Sequence, residues 1–244
     1  MATAATPKAR SRPRRRSERG SRRARRPAPE RAAEILEAAR DVFSERGYAK
    51  ASMAEIAARV GVVEGALYRH YPSKRELLFA VMRTFYVRRI ESLRSGLGGI
   101  HGARNRLRYV IWNQLRAFTD DTGLCRVVIS EIRPLDDYGQ SLVRELNREL
   151  TGEALAVIDE GVRTGELRGD LPRQLVRDVI YGGIEHLAWT AVIGHRKLDV
   201  ERTADALTEL IFAGLGAGAP AGGTAERLAA QVDRLQTMLE RAGT

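Results

Sequence analysis

Two capping boxes, Ser52 to Glu55 and Ser73 to Glu76, stand on either side of Gly61, and this spacing constrains the chain more than any other feature. In each box a serine hydroxyl and a glutamate three residues on can satisfy backbone N–H groups that a helix start leaves open. Met53, Ile56, Ala57 and Val60 follow the first box as a buried stripe, which predicts a short helix over 53–60. Gly61 permits a tight turn and Val62 plugs the corner. A third helix then turns Ala66, Leu67 and Tyr71 inward, and Pro72 ends it. Upstream, Ile35, Leu36, Ala39, Val42 and Phe43 share one face of a 3.6-residue period between Pro27/Pro29 and Gly47, so a first helix is expected over 30–46. This is the layout of a helix-turn-helix, whose second short helix enters the DNA major groove. Three short helices around a glycine turn can equally make an ordinary core.

The second box opens a long fourth helix, with Leu77, Leu78, Val81, Met82 and Phe85 as its stripe, running to about Leu93. At 1.5 Å per residue it would be a strut of roughly 30 Å. Beyond the break at Gly96–Gly99, helices are expected over 103–119, 123–132, 138–163, 172–193 and 200–214, and no alternating strand pattern of useful length occurs. The fold class is therefore all-α. Residues 216–223 read as a Gly/Ala/Pro linker. Ala225, Leu228, Val232, Leu235 and Leu239 then step as a coiled-coil seam within an amphipathic helix over 224–242.

Charge is unevenly spread. The formal net charge of +10 equals that of residues 1–29 alone, which hold eleven basic side chains against Glu18. Apart from Met1 that segment has no large apolar residue, so composition predicts a disordered, Arg-rich tail. It lacks the apolar core of a secretory signal and the amphipathic face of a transit peptide. It can serve as an electrostatic arm for a polyanion or as a solvated extension. The longest uncharged run, Leu210 to Ala225, is broken by five glycines and a proline, too short and polar to span a bilayer. Cys125 is the only cysteine and the four histidines are scattered, so neither an internal disulfide nor a metal site is implied. A cytoplasmic protein of a reducing compartment, with no membrane partner and no cofactor, is expected. No nucleophile elbow, P-loop, His-x-Glu or Cys-x-x-Cys pair is present, which argues against an enzyme.

Gly47-Tyr48, Ser52-Met53-Ala54-Glu55-Ile56-Ala57, the run Gly61 to Tyr71 and Pro72-Ser73-Lys74-Arg75-Glu76-Leu77 together closely resemble the DNA-binding domain of the TetR/AcrR family of bacterial transcriptional regulators. The resemblance covers about residues 30–80; the remainder is similar in layout only. It implies a helix-turn-helix domain over 30–76 and a helical ligand-binding and dimerisation domain over 77–215. It also implies a homodimer on double-stranded DNA with two half-sites, and release when a small effector enters the second domain. In that frame Ser52, Val63, Glu64, Gly65, Ala66, Tyr68, Arg69, His70 and Lys74 are the candidate DNA-binding residues.

Ser52 can seat a phosphate or act as a plain cap. Gly65 can let the backbone approach the duplex or can be a packing glycine. Tyr68 can meet a phosphate or a thymine methyl, or can be a core aromatic. Arg69 can fork onto a guanine edge or clamp a phosphate. His70 and Lys74 fall where the family makes backbone contacts. Val63 stands where the family commonly has a capping Ser or Thr, so one cap hydrogen bond is missing. Residues 30–75 hold eight bases and seven acids, so this head is nearly neutral.

In the second domain Tyr86, Trp112, Phe118, Tyr181, His186 and Trp189 are candidates to line a mostly apolar ligand pocket, each with core packing as the alternative. Gly182, Gly183, Ala188 and Ala191 would allow close helix approach at a dimer interface. The reading is a sequence-specific, ligand-released homodimeric repressor. The alternative is an architectural or partner-regulated DNA binder without a small effector.

Overall fold

The computed structural model describes residues 28–194 and 197–216, with backbone alone at 28–29 and 191–194. The tail, most of the linker and the C-terminal amphipathic helix therefore lie outside the described residues. Nine α-helices are present among those described: α1 (Ala28–Lys50), α2 (Met53–Val60), α3 (Glu64–Tyr68), α4 (Lys74–Leu97), α5 (Ala103–Asp120), α6 (Thr122–Val127), α7 (Leu142–Arg163), α8 (Arg173–Gly194) and α9 (Val200–Leu215). No strand forms among the described residues beyond an isolated bridge between Leu167 and Gly216.

The first three helices close on a core of Ile35, Ala39, Val42, Phe43, Met53, Ile56, Ala57 and Leu67, to which α4 adds Leu77 and Leu78. The expected boundary between 76 and 77 thus falls inside α4, which is 24 residues, or about 36 Å, and belongs to both halves. In the larger half α5 is central, packed against α7, α8 and α9, with Leu107, Val110, Ile111 and Leu115 buried. The two halves also meet where α6 lies across α1. There Gly123 approaches so closely that an added Cβ would stand 2.3 Å from the Ser44 carbonyl oxygen.

Several boundaries differ from the sequence reading. Gly47 does break the first helix, at φ +75°, but one more helical turn follows it to Lys50. The expected helix over 123–132 is α6 followed by a π-type turn, Val128–Ile132. The expected helix over 138–163 is a 3-10 turn, Tyr138–Gln140, followed by α7, because Ser141 caps α7 by accepting from Arg144 N at 3.2 Å. Both capping serines work as predicted: Ser52 Oγ accepts from Glu55 N and Ser73 Oγ from Glu76 N, each at 3.1 Å. The Glu55 carboxylate does not complete its box; Arg46 Nε donates to it at 3.3 Å.

Candidate functional site

The α2–turn–α3 unit presents one outward face. Leu67 is fully buried and fixes α3 on the core, which turns the flanking positions to solvent. Val63 is 75% exposed and Tyr68 46% exposed, with Glu64, Gly65, Arg69 and His70 exposed beside them and Ala66 half-buried. No side chain caps α3 at Val63, as its identity predicted. Around Gly65, outside its own helix backbone and chain neighbours, no atom of the described residues comes within 4 Å of the place a Cβ would occupy, so the packing-glycine reading finds no neighbour among them. Arg69 and Lys50 pair with no carboxylate among the described residues, whereas Arg59 is held by Glu45 at 2.9 Å and Arg46 by Glu55. The hydrogen bond from Arg59 holds the Glu45 carboxyl below its ordinary range.

Lys74 is engaged within the chain. Its ammonium donates to the carbonyls of Tyr48 (2.8 Å), Ala49 (3.4 Å) and Ala51 (2.9 Å) and lies 4.5 Å from the Tyr48 ring centroid. With three donors and three carbonyls, it brings charge to the DNA face but no spare hydrogen bond.

A cavity of about 420 Å³ opens between α5, α7, α8 and the segment after the π-type turn. Of the six aromatic and histidine candidates, Phe118 and Tyr181 line it. Tyr86 is buried behind its wall, with its hydroxyl 3.4 Å from Asn147 Oδ1, and burial pushes its phenol above the ordinary range. Trp112, His186 and Trp189 do not line this cavity. Trp112 instead donates to Glu201 Oε1 at 2.6 Å and stacks on Tyr109, while His186 is exposed and Trp189 half-buried on α8.

What sequence reasoning missed is the charge of the walls. Arg133, Arg144, Arg148 and Arg177 face Asp178 and Glu185. Arg133 Nη1 donates to both Glu185 oxygens at 2.6 and 2.7 Å, and Arg177 pairs with Asp178 at 2.7 Å. Arg144 and Arg148 pair with no carboxylate among the described residues, so the cavity carries net positive charge. The signal was available as two arginines one helical turn apart beside the apolar stripe of α7. In the same cavity the Tyr181 hydroxyl is buried without a hydrogen-bond partner among the described residues, and burial raises its pKa.

Residues 35–81 match the family model for bacterial regulatory proteins of the tetR family, and residues 101–215 match that for the tetracyclin repressor-like C-terminal domain. The chain belongs to the TetR family. Its relatives include the fatty acid metabolism regulator protein of Bacillus subtilis, 24% identical over 182 residues, which are 75% of this chain and 94% of that protein. The transcriptional repressor KstR2 of Rhodococcus jostii is 25% identical over 190 residues, 75% of this chain and 89% of the repressor. The solved structure of FadR from Bacillus subtilis in complex with stearoyl-CoA superposes with a TM-score of 0.69 at 24% identity, over 75% of this chain and 98% of FadR. As a TetR-family protein the chain is a DNA-binding transcriptional regulator. Among the described residues no helix is long and apolar enough to cross a membrane, and no cluster of side chains could hold a metal ion.

Proposed function

We propose that this TetR-family protein is a homodimeric repressor that leaves a two-half-site operator when an anionic amphiphile enters the α5–α7–α8 cavity. The unpaired arginines Arg144 and Arg148, lining the same cavity as the partnerless Tyr181 hydroxyl, carry the ligand class. A guanidinium pair at a mouth favours phosphate or carboxylate, whose flat edges take two N–H donors at once. Phe118 and Ile184 offer an apolar wall below, and the cavity volume lies within the usual range for small-ligand sites. The stearoyl-CoA bound by FadR supports a long-chain acyl thioester, with its phosphates at the mouth and its chain inward.

For the DNA face we assign Val63, Gly65, Ala66 and Tyr68 to close apolar and backbone approach, Arg69 to base reading, and Ser52 and His70 to phosphates. Glu64 sits where it can accept from a cytosine amino group. Residues 30–76 read DNA and 77–215 sense ligand and dimerise. The dimer face is the outward stripe of α8 and α9. Leu175, Val179 and Leu210 are 54%, 60% and 72% exposed, and outside their own helix backbone the added Cβ positions of Gly182 and Gly214 meet nothing within 4 Å among the described residues. Exposed apolar rows of this kind mark an interface.

The test is operator binding on DNA from upstream of the gene, titrated with palmitoyl-CoA, palmitate and coenzyme A separately. Release by the thioester at concentrations where coenzyme A alone does nothing supports the assignment. Indifference to all three rejects the ligand class, and equal binding to random DNA rejects the repressor.

A further inference from the structure

The DNA-reading half and the cavity are joined by one short stretch of chain whose side chains alternate between them. Glu131, in the π-type turn, accepts from the backbone N–H groups of Tyr48 (3.1 Å) and Ala49 (2.9 Å). Arg133, two residues on, holds Glu185 in the cavity wall. Asp137 pairs with Arg75 at the start of α4, and Tyr138 lines the cavity again. Glu131 and Asp137 thus grip the reading head, while Arg133 and Tyr138 grip the ligand cavity.

The part that Glu131 holds is itself a joint. Gly47 turns the chain at φ +75°, and one helical turn, Tyr48 to Ala51, follows before Ser52 caps α2. That turn has open N–H groups at its start and open carbonyls at its end. The Glu131 carboxylate takes the first and the Lys74 ammonium takes the second, each on the end of the turn where its charge is favoured. Gly47 also provides the room, since an added Cβ would lie 2.7 Å from Glu131 Oε1. Any shift of Glu131 pulls on the segment that sets the angle between α1 and the α2–α3 unit.

A π-type turn closes its hydrogen bond one residue further along the chain than an α-helix does, and such turns recur at functional places. Here the turn is closed by Arg133 N donating to Val128 O at 2.9 Å, so the cavity-facing arginine is also its last link.

We propose that residues 131–138 form a relay in which Glu131 is the positioning residue. While the Arg133–Glu185 pair is intact, Glu131 keeps the 47–51 joint in its DNA-competent setting; a ligand acid that draws Arg133 away from Glu185 moves Glu131 and tilts the head. The inference rests on the ligand reading above for its trigger only. Its geometry stands without a ligand: the reading head and the cavity both contact one discrete element, residues 131–138, the arrangement a coupling element needs.

Two measurements on the full chain test it separately. Hydrogen exchange without ligand should be at least tenfold faster at the Tyr48 and Ala49 amides in Glu131→Ala, and at least threefold faster there in Glu185→Gln. Exchange at Ala57, in the core of the reading head, should stay within twofold of wild type in both, which shows that the head remains folded. Wild-type rates at residues 48 and 49 in Glu185→Gln would overturn the relay whatever the ligand is. In the second measurement, saturating palmitoyl-CoA should raise the operator Kd of Glu131→Ala by a factor at least fivefold smaller than in wild type, with Glu131→Gln intermediate because it keeps one acceptor oxygen. A full response in Glu131→Ala would overturn the role of Glu131. If palmitoyl-CoA fails to release even the wild-type protein, the ligand assignment falls and the exchange arm alone decides the relay.

Discussion

Replacing Gly65 by alanine should separate the stability of the reading head from its grip on DNA, and push the two in opposite directions. The position is helical and exposed, and outside its own helix backbone and chain neighbours nothing among the described residues lies within 4 Å of the new Cβ. Without a clash, alanine gains over glycine by losing less backbone entropy, worth up to about 0.5–1 kcal/mol. If the empty space is where the duplex approaches, the same methyl overpacks the complex at about 1–3 kcal/mol per half-site, by analogy with overfilled cores. Two half-sites in a symmetric dimer make roughly 2–6 kcal/mol, or a loss of about thirtyfold to twenty-thousandfold in operator affinity. Urea unfolding of the full chain gives the first quantity, and fluorescence anisotropy on labelled operator at one fixed salt concentration gives the second. Gly152→Ala in α7, equally free of neighbours but remote from α3, serves as the control and should gain stability without changing affinity. Lower stability in Gly65→Ala would mean that the glycine is packed after all. Raised stability with unchanged affinity would refute the close approach of α3 to DNA.

Other outcomes follow from the same geometry. Arg69→Ala should leave stability within about 0.5 kcal/mol, since an exposed unpaired group is removed, and cost about 1–3 kcal/mol per half-site with relaxed preference at one base pair. A uniform loss with a salt slope shallower by about 0.9 would make it a phosphate clamp instead. Gly123→Ala should destabilise the chain by at least about 1–3 kcal/mol in thermal unfolding, because the Cβ meets Ser44 backbone at 2.3 Å, which cannot swing aside. Cys125 is buried, which pushes its thiol up to about 12, so iodoacetamide should label it far more slowly at pH 8 in the folded than in the urea-unfolded chain. Because folding raises this acid's pKa, its contribution to stability is lost only as pH climbs above 9.0. Deleting residues 1–28 should lower affinity for all sequences and flatten the salt dependence by about 0.9 for each phosphate that the tail neutralises, and an unchanged slope would show that the tail is not an arm.

Much of the fold was legible because helices are local. Amphipathic stripes, two capping serines and Gly61 each act within a few residues of themselves, and each helix over 28–97 lies where those signals put it, extended by a turn at Lys50 and at Leu97. Where the reading slipped, a side chain distant in sequence or an unlooked-for cap had intervened. Ser141 cut short a helix expected from 138 by offering a better start. The aromatic residues expected at a pocket were sorted by which side of their helix met a neighbour: Phe118 and Tyr181 faced the cavity, and Trp112 faced Glu201.

Local pattern alone was enough to specify an all-α chain, a helix-turn-helix layout with Leu67 inward, and the separation of a basic tail from a nearly neutral body. Periodicity and capping suffice for that, because burial of one helix face dictates exposure of the other. It took the packed fold to establish that Lys74 closes a joint in α1, that Glu131 grips it from across 82 or more residues of chain, and that four arginines converge on one cavity. Those arrangements depend on where α6, α7 and α8 cross their neighbours. Crossing geometry is set by side-chain packing over the whole core, which no local pattern encodes.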